Sequence, residues 1–213
     1  MRPTRGEVHS PFDGVEPDGE AGLAATLASR ICHDLASPLG AIANGLELLA
    51  LAGVEPSPEL DLLSQSVESG SARLRFFRIA YGAAGTRSVG RSEVARTLAS
   101  LSKGSRIALE WEVAGDHPRQ EVKAVFLLIQ CLEAALPSGG CICVSRSADG
   151  WTLTAEGSRI RFDASIWDTL GPCRADPPSG SAQVQFGLLA HALTKLGRRL
   201  DVALSEGRIL ARF

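Results

Sequence analysis

The chain has 213 residues, of which 45% are hydrophobic, and a formal net charge of -2. This length holds one domain or two small ones. The net charge gives no support to nucleic-acid binding, for which a basic stripe is expected. No apolar run is long enough to cross a bilayer, and residues 1–20 lack the apolar core of a signal peptide. We therefore expect a cytoplasmic protein without a nucleic-acid or membrane partner.

The N-terminal quarter of the chain predicts a tail and a long amphipathic helix. Residues 1–18 are rich in proline and glycine, which indicates a mobile tail without an assigned function. The helix runs from Gly19 to about Ala52 and ends at Gly53. At about 100° per residue, one broad face collects the apolar side chains of Leu23, Leu27, Ile31, Leu35, Leu39, Ile42, Leu46 and Leu49.

A single histidine, His33, falls almost diametrically opposite that apolar face. The adjacent Asp34 can orient or polarise the imidazole. Pro38 removes the amide that would bond the Asp34 carbonyl, so we expect a bend beside the histidine. An ordinary solvated histidine is the alternative interpretation. The neighbours on the histidine side are small: Thr26, Ser29, Ala36, Ser37, Gly40 and Asn44.

A second helix is predicted from Pro58 to about Tyr81 after a short connection. Its apolar seam has spacings of three and four residues: Leu60, Leu63, Val67, Gly70, Leu74, Phe77 and Tyr81. Two long helices with a tight connection form an antiparallel hairpin, and one hairpin cannot cover two apolar faces. We therefore expect a homodimer through residues 19–84, as a four-helix bundle with both histidines outside. The alternative is that the hairpin packs on its own chain.

Residues 82–90 are small and polar and predict a linker to an α/β domain at residues 90–213. Helices are expected at Ser92–Ser102, with Ser92 as the cap, and at Gln120–Leu136, Ala164–Leu170 and Val184–Leu196. Strands are expected at Arg106–Val113, Cys141–Ser145, Trp151–Ala155, Leu200–Leu204 and Arg208–Phe213. The predicted class is α+β, with a helical hairpin followed by a small sheet that carries helices on one face.

The five cysteines, at positions 32, 131, 141, 143 and 173, are odd in number and irregularly spaced, which disfavours a disulfide framework. Half of a metal site is one interpretation of the C-x-C pair formed by Cys141 and Cys143. No second ligand pair follows at a usable spacing, so we interpret both as small packing residues on one face of a strand.

The order of these elements resembles a known signalling module. The run His33-Asp34-Leu35-Ala36-Ser37-Pro38-Leu39 lies on a long helix that has a hairpin partner, and an α/β domain follows. Over about residues 20–213 this resembles the dimerisation and phosphoacceptor region of a histidine kinase, followed by its ATP-binding domain.

The chain departs from that family at the nucleotide site. Leu127 and Cys131 stand where the family carries asparagines, one of them a magnesium ligand. The family binds adenine through an aspartate and two glycines, of which only Gly157 remains here. The family also has a glycine-rich phosphate-binding loop, of which Gln183–Leu188 retains only Gly187. Leucine and thiol side chains do not suit magnesium, and the glutamines prevent a close phosphate approach. We therefore expect no cofactor bound by this chain.

These losses resemble a narrower group, the alphaproteobacterial histidine phosphotransferases of the ChpT type, whose ATP-binding fold is degenerate. The resemblance implies a homodimer that accepts a phosphoryl group from the receiver-domain aspartate of a hybrid histidine kinase. Proteins of this type pass the phosphoryl group on to the receiver aspartates of response regulators. In the alphaproteobacteria that carry them, these regulators control the cell cycle. Mg²⁺ is expected from the receiver domain.

Within that interpretation His33 attacks and later releases the phosphoryl group, and Asp34 orients or tunes it. The low relief of the surface predicts a receiver-docking set of Ser29, Arg30, Ser37, Gly40 and Asn44, for which the alternative is an ordinary polar helix face. Two other functions remain open. One is an ATP-dependent histidine kinase with a divergent nucleotide site, and the other is a non-catalytic dimeric scaffold that binds receivers.

Overall fold

The protein is described by a computed structural model that covers residues 19–83, 85–171 and 183–213. The predicted tail and Cys173 lie outside these residues. The helices are α1 (Gly19–Leu51), α2 (Pro58–Ala80), α3 (Arg91–Ser102), α4 (Arg119–Ala135), α5 (Ala164–Trp167), which a 3₁₀ turn at Asp168–Leu170 extends, and α6 (Val184–Lys195). The strands are β1 (Ser88–Val89), β2 (Ile107–Trp111), β3 (His117–Pro118), β4 (Gly140–Ser147), β5 (Gly150–Glu156), β6 (Asp201–Ser205) and β7 (Arg208–Arg212).

The predicted hairpin forms from α1 and α2. α1 continues through Pro38, and Gly53 follows it with φ +77°, a conformation that glycine adopts without strain. At the start of α2, the Ser57 hydroxyl accepts the Leu60 amide at 3.4 Å, and Pro58 fills the first helical position. These local signals fix both ends of the connection, so the two helices run antiparallel.

The apolar face of α1 is only partly covered. α2 packs along the edge of this face, where Cys32 is buried and Leu39 lies against Gly70. Six predicted members of the face remain 43% to 68% exposed: Leu23, Leu27, Ile31, Leu35, Ile42 and Leu49. The hairpin therefore leaves most of this apolar face unpaired within the chain.

α2 carries a second buried stripe that the predicted seam did not include. Its members are Ala72, Phe76, Ile79 and Ala80, and they join the core of the α/β domain. Phe76 stacks on Phe126 of α4 with ring centroids 4.6 Å apart. Part of the hairpin therefore packs on its own chain, which is what the alternative prediction stated. The reason is that α2 has two apolar faces in its C-terminal half.

The α/β domain is built on a five-stranded sheet in the order β2-β4-β5-β7-β6. β2 is parallel to β4, and the remaining pairs are antiparallel. Alternate residues of the strands point into the core, while α4 is buried along nearly its whole length and packs on α6. The predicted α+β class, with a hairpin followed by a sheet domain, is confirmed.

The predicted linker at residues 82–90 contains a strand instead. Ser88–Val89 pairs antiparallel with His117–Pro118 as a separate two-stranded sheet. Strands of two residues have no periodicity that a sequence pattern reveals. The next helix begins at Arg91 rather than with Ser92 as its cap, and the Asp116 carboxylate accepts the Arg91 amide at 2.9 Å. This carboxylate, 25 residues away, replaces the expected local cap.

The junction of hairpin and α/β domain is held by two cations of α4. Arg119 donates to the Arg78 carbonyl at 2.8 Å and to the Ala83 carbonyl at 3.1 Å. Lys123 donates to the Gly82 carbonyl at 2.8 Å. These bonds satisfy carbonyls at and beyond the end of α2 that the helix itself leaves open. None of the described helices combines the length and apolar composition that a membrane-spanning helix requires.

Candidate functional site

His33 projects from the middle of α1 into solvent, with 83% of its side chain exposed. Its Nδ1 lies 3.2 Å from Asp34 Oδ1. An ionised carboxylate only accepts hydrogen bonds, so Nδ1 carries the proton and donates to it. In a neutral ring the Nε2 lone pair then faces solvent, where it is available as a nucleophile.

Asp34 is itself held from the other side. Arg30, one helical turn earlier, donates through Nε to Asp34 Oδ2 at 2.8 Å. The hydrogen bonds from Arg30 and then from His33 hold the pKa of the Asp34 carboxyl below its ordinary value. The carboxylate therefore stays charged through the neutral range, and each of its oxygens has a fixed partner.

The surface beside His33 carries small, exposed residues, as the sequence predicted. Ser37, Gly40 and Asn44 are exposed, and nothing lies within 4 Å of the position that a Gly40 Cβ would take. Ser29 differs, because it is half-buried and its Oγ lies against Gly82 of the domain junction. The docking set therefore divides into an open surface around His33 and one residue that contacts the junction.

Arg78 is a neighbour of the site that the sequence did not single out. It forms an ion pair with Glu93 of α3 at 3.6 Å. Burial raises the pKa of the Cys32 thiol, next to His33, and the charge of Arg78 partly opposes this effect. The arginine follows no local motif, and its partner lies on another helix, so only the tertiary structure connects it to the site.

The positions that the resemblance to a histidine kinase assigns to nucleotide binding are closely packed. Leu127 and Cys131 are completely buried in α4, and burial holds the pKa of the Cys131 thiol well above its ordinary value. Gly157 packs against Gly139, where a Cβ would come within 2.8 Å of the Gly139 carbonyl oxygen. The side chains at positions 127 and 131 of α4 therefore carry no oxygen atom that could bind magnesium.

An exposed histidine on a helical hairpin, followed by an α/β sheet domain, defines the general architecture of a histidine phosphotransfer protein. A family model described as the histidine phosphotransferase C-terminal domain matches residues 91–208. The chain is 32% identical to Protein phosphotransferase ChpT of Brucella abortus, over 76% of this chain and 81% of that protein. It belongs to the histidine phosphotransferase family, and within it to the ChpT type.

A solved structure shares this fold. The protein described as "1.7 Angstrom Structure of a Bacterial Phosphotransferase" superposes with a TM-score of 0.64 at 24% identity. The match covers 93% of this chain and 97% of that chain. The hairpin and the sheet domain thus occur together in both proteins, which extends the fold likeness beyond the part matched by the family model.

Proposed function

We propose that this chain is the histidine phosphotransferase of a multistep phosphorelay, with His33 as the residue that carries the phosphoryl group. The observation that carries the proposal is the exposed imidazole, whose Nδ1 is held by Asp34 while Nε2 faces solvent. The family membership supports phosphotransfer as the activity. The donor is the receiver domain of a hybrid histidine kinase, and the acceptors are receiver domains of response regulators.

The transfer proceeds by in-line displacement at phosphorus. Nε2 of His33 attacks the acyl phosphate of the receiver, the new N–P bond forms, and the P–O bond to the receiver aspartate breaks, which leaves a carboxylate. The ring keeps its Nδ1 proton and becomes cationic, so the Asp34 carboxylate stabilises the positive charge beside it. The reverse displacement, with an acceptor aspartate as nucleophile, returns the ring to its neutral form.

Most of the charge neutralisation at phosphorus comes from the partner in this proposal. Phosphoryl transfer depends mainly on positioning and on cations near the transferred group. The only cation fixed beside His33 on α1 is Arg30, and it is engaged by Asp34. Mg²⁺ bound by the receiver domain supplies the remaining positive charge, and this chain binds no cofactor of its own.

Absence of ATP binding is part of the same proposal. It is supported by the buried Leu127 and Cys131 at the asparagine positions and by the close packing of Gly157. Magnesium prefers oxygen ligands and requires near-octahedral geometry, which a buried leucine and a protonated thiol do not offer. The α/β domain then contributes structure rather than nucleotide chemistry.

The protein acts as a homodimer in this proposal. The six exposed apolar side chains of α1 lie on the face away from His33, and a second hairpin is the occupant that matches them. The resulting four-helix bundle removes this apolar surface from water while both histidines remain outside. The docking face of Arg30, Ser37, Gly40 and Asn44 then receives one helix of a receiver domain, with Ser29 at its border.

The experiment that tests the function follows labelled phosphate. The purified protein is incubated with labelled ATP alone, and with labelled ATP plus a hybrid histidine kinase that contains a receiver domain. We expect label on the wild-type chain only when the kinase is present, and none on a His33→Ala variant. The matched control is His191→Ala, because His191 is also an exposed helical histidine but lies on α6.

Each other outcome contradicts a defined part of the proposal. Label on the wild type from ATP alone identifies an ATP-dependent histidine kinase. Label that persists on His33→Ala but not on His191→Ala assigns the acceptor to α6. Absence of label with a kinase that phosphorylates another phosphotransferase under the same conditions supports the scaffold function.

A further inference from the structure

Four metal-ligating side chains lie together on the solvent face of the sheet, outside the phosphotransfer site. Glu110 is on β2 and Glu112 follows that strand, while Cys141 and Cys143 are on the parallel neighbour β4. The register places Glu110 beside Cys143, and the Glu112 amide donates to the Val144 carbonyl at 2.9 Å. Two adjacent strands therefore place Glu110 directly beside Cys143, while Cys141 pairs with Ala108, two residues before Glu110.

The pleat of both strands directs these side chains away from the core. Leu109 and Val113 on one strand segment are buried, and Trp111 between them packs against the core. Ile142 and Val144 on β4 are buried as well, so Glu110, Glu112 and Cys143, which alternate with these residues, lie on the opposite face. The two carboxylates are exposed and the two thiols are half-buried. The ligand atoms of Glu110, Glu112 and Cys143 all lie within 4.8 Å of one another. Cys141 lies beside this group, where its thiol hydrogen-bonds to the Glu110 carboxylate.

Within the described residues, the negative charge of the cluster is not balanced by a cation. Among the residues that the structure describes, no salt bridge joins Glu110 or Glu112 to a lysine or arginine. Two carboxylates on the same side of one strand repel each other, and a bound cation relieves that repulsion. The cluster thus combines unneutralised negative charge with sulfur ligands, which a purely acidic patch lacks.

We infer that Glu110, Glu112 and Cys143 form a zinc site on the open face of the sheet, with Cys141 as the fourth ligand. Zinc accepts thiolate and carboxylate ligands in tetrahedral geometry, whereas magnesium and calcium require oxygen ligands throughout. β2 is the edge strand of the sheet, so the metal ties this edge to β4. Binding releases the thiol protons to solvent, and the site adds no step to phosphoryl transfer.

An oxidation-sensitive thiol pair is the competing function for the two cysteines. The neighbours of the thiols are acidic, since Glu110 pairs with Cys143 in the register of β2 and β4 and the Glu112 carboxylate lies within 4.8 Å of the Cys143 sulfur. Reactive thiols instead have lowered pKa values and positive surroundings. The carboxylates beside these thiols therefore disfavour oxidation chemistry, while they supply the oxygen ligands of a metal site.

The test uses the full-length protein, reduced and metal-free, with Zn²⁺ alone and with Co²⁺ as a spectroscopic probe. We expect one Zn²⁺ per chain and a thiolate-to-cobalt charge-transfer band. Glu112→Gln, at an exposed position, is expected to weaken zinc binding by at least about tenfold, and Cys143→Ser by more. At a hundredfold excess over its Kd, zinc is expected to raise the Tm of the wild type by about 5 °C or more.

Two matched controls are Glu206→Gln, an exposed carboxylate in the turn between β6 and β7, and Cys32→Ala, a thiol on α1. Both are expected to bind zinc as the wild type does. The inference is overturned if the wild type binds no more zinc than the Cys141→Ser/Cys143→Ser variant, or if the cobalt complex lacks the thiolate band. Zinc binding that survives Cys143→Ser and Glu112→Gln unchanged also overturns it. None of these results depends on phosphotransfer activity.

Discussion

At the scale of single residues, the geometry of the site depends on the different hydrogen-bond partners of the two Asp34 carboxylate oxygens. One oxygen accepts from His33 Nδ1 at 3.2 Å and the other accepts from Arg30 Nε at 2.8 Å. Neighbouring residues on a helix do not generally face each other, so the contact from residue 33 to residue 34 depends on the position of the carboxylate. Arg30, one turn away, holds it there.

Substitutions of Asp34 separate its charge from its hydrogen bond. Asn at this position keeps an acceptor oxygen for Nδ1 but removes the charge, whereas Ala removes both. We expect Asp34→Asn to slow phosphoryl transfer from a receiver by about tenfold and Asp34→Ala by about a hundredfold, within the range of acid–base and electrostatic effects. Rapid-quench measurement of phosphohistidine formation checks this. Equal rates for both variants and the wild type would show that Asp34 is only a solvated charge.

Gly40 provides a residue-scale test of the docking face. Its Cβ position is open to solvent, and glycine inside a helix is less favourable than most residues by roughly 0.5–1 kcal/mol. Gly40→Leu is therefore expected to preserve or raise the free energy of unfolding while it obstructs a docked helix and lowers receiver affinity. Titration calorimetry with a receiver domain and urea unfolding measure the two effects. Unchanged affinity would remove Gly40 from the docking face.

At the scale of elements, α1 presents different chemistry on its two sides. Its histidine side is polar and flat, while its opposite side carries apolar residues that α2 reaches only at the edge. Soluble monomers rarely leave a contiguous apolar helix face exposed. The second helix is also two-faced, since its C-terminal half contacts both α1 and the α/β domain. The hairpin is thus both the proposed dimer element and the support of the site.

The dimer face is tested by charge at its centre. Ile31 and Leu35 are each 49% exposed, so burial of the remaining surface contributes about 1 kcal/mol per side chain, or about 4 kcal/mol for the four copies in a dimer. The variant Ile31→Glu/Leu35→Glu is expected to weaken dimerisation by about a thousandfold or more. Light scattering against concentration measures this. Leu204→Glu, on β6, is the control and is expected to leave the mass unchanged.

At the scale of the whole molecule, the hairpin and the α/β domain share one core. Phe76 of α2 is buried in that core, where it stacks on Phe126. We expect Phe76→Ala to reduce the free energy of unfolding by about 3–5 kcal/mol, because it removes a large side chain from a packed interface. Urea denaturation of wild type and variant measures the loss. Leu204→Ala, half-exposed on β6, is expected to change it by less than about 0.5 kcal/mol.

Lys123 gives the junction a defined pH dependence. Burial and then the neighbouring Arg119 charge lower the pKa of the Lys123 ammonium below that of the unfolded chain. The unfolded chain therefore binds more protons between the two pKa values, and the stability contributed by this group rises as the pH increases through that interval. Relative to Lys123→Met, the wild type is expected to gain stability as the pH rises toward about 10.5, the ordinary lysine value. Thermal melts measure the difference in Tm between the wild type and Lys123→Met across this pH range. A difference that falls as the pH rises would contradict the lowered pKa of Lys123.

Much of the architecture was predictable because its signals are local. The 3.6-residue periodicity, Pro58 at the start of α2 and the glycine after α1 predict the hairpin, and alternation predicts the long strands. The motif around His33 predicts the phosphoacceptor, and the altered residues at Leu127 and Cys131 predict a lost nucleotide site; both stay predictions. The short pair β1 and β3 and the cap that Asp116 provides were missed, since both depend on partners distant in sequence.

By itself the sequence determined the order of elements, the side of α1 on which His33 lies and the family resemblance, because each follows from periodicity or a contiguous motif. Only the tertiary structure decided that α2 joins the core of the α/β domain and that Ser29 contacts the junction. It also brought Glu110 beside Cys143, a contact that the spacing of residues downstream of the C-x-C motif does not indicate. The physical reason is the parallel pairing of β2 and β4, which joins residues 33 positions apart through backbone hydrogen bonds that no sequence spacing encodes.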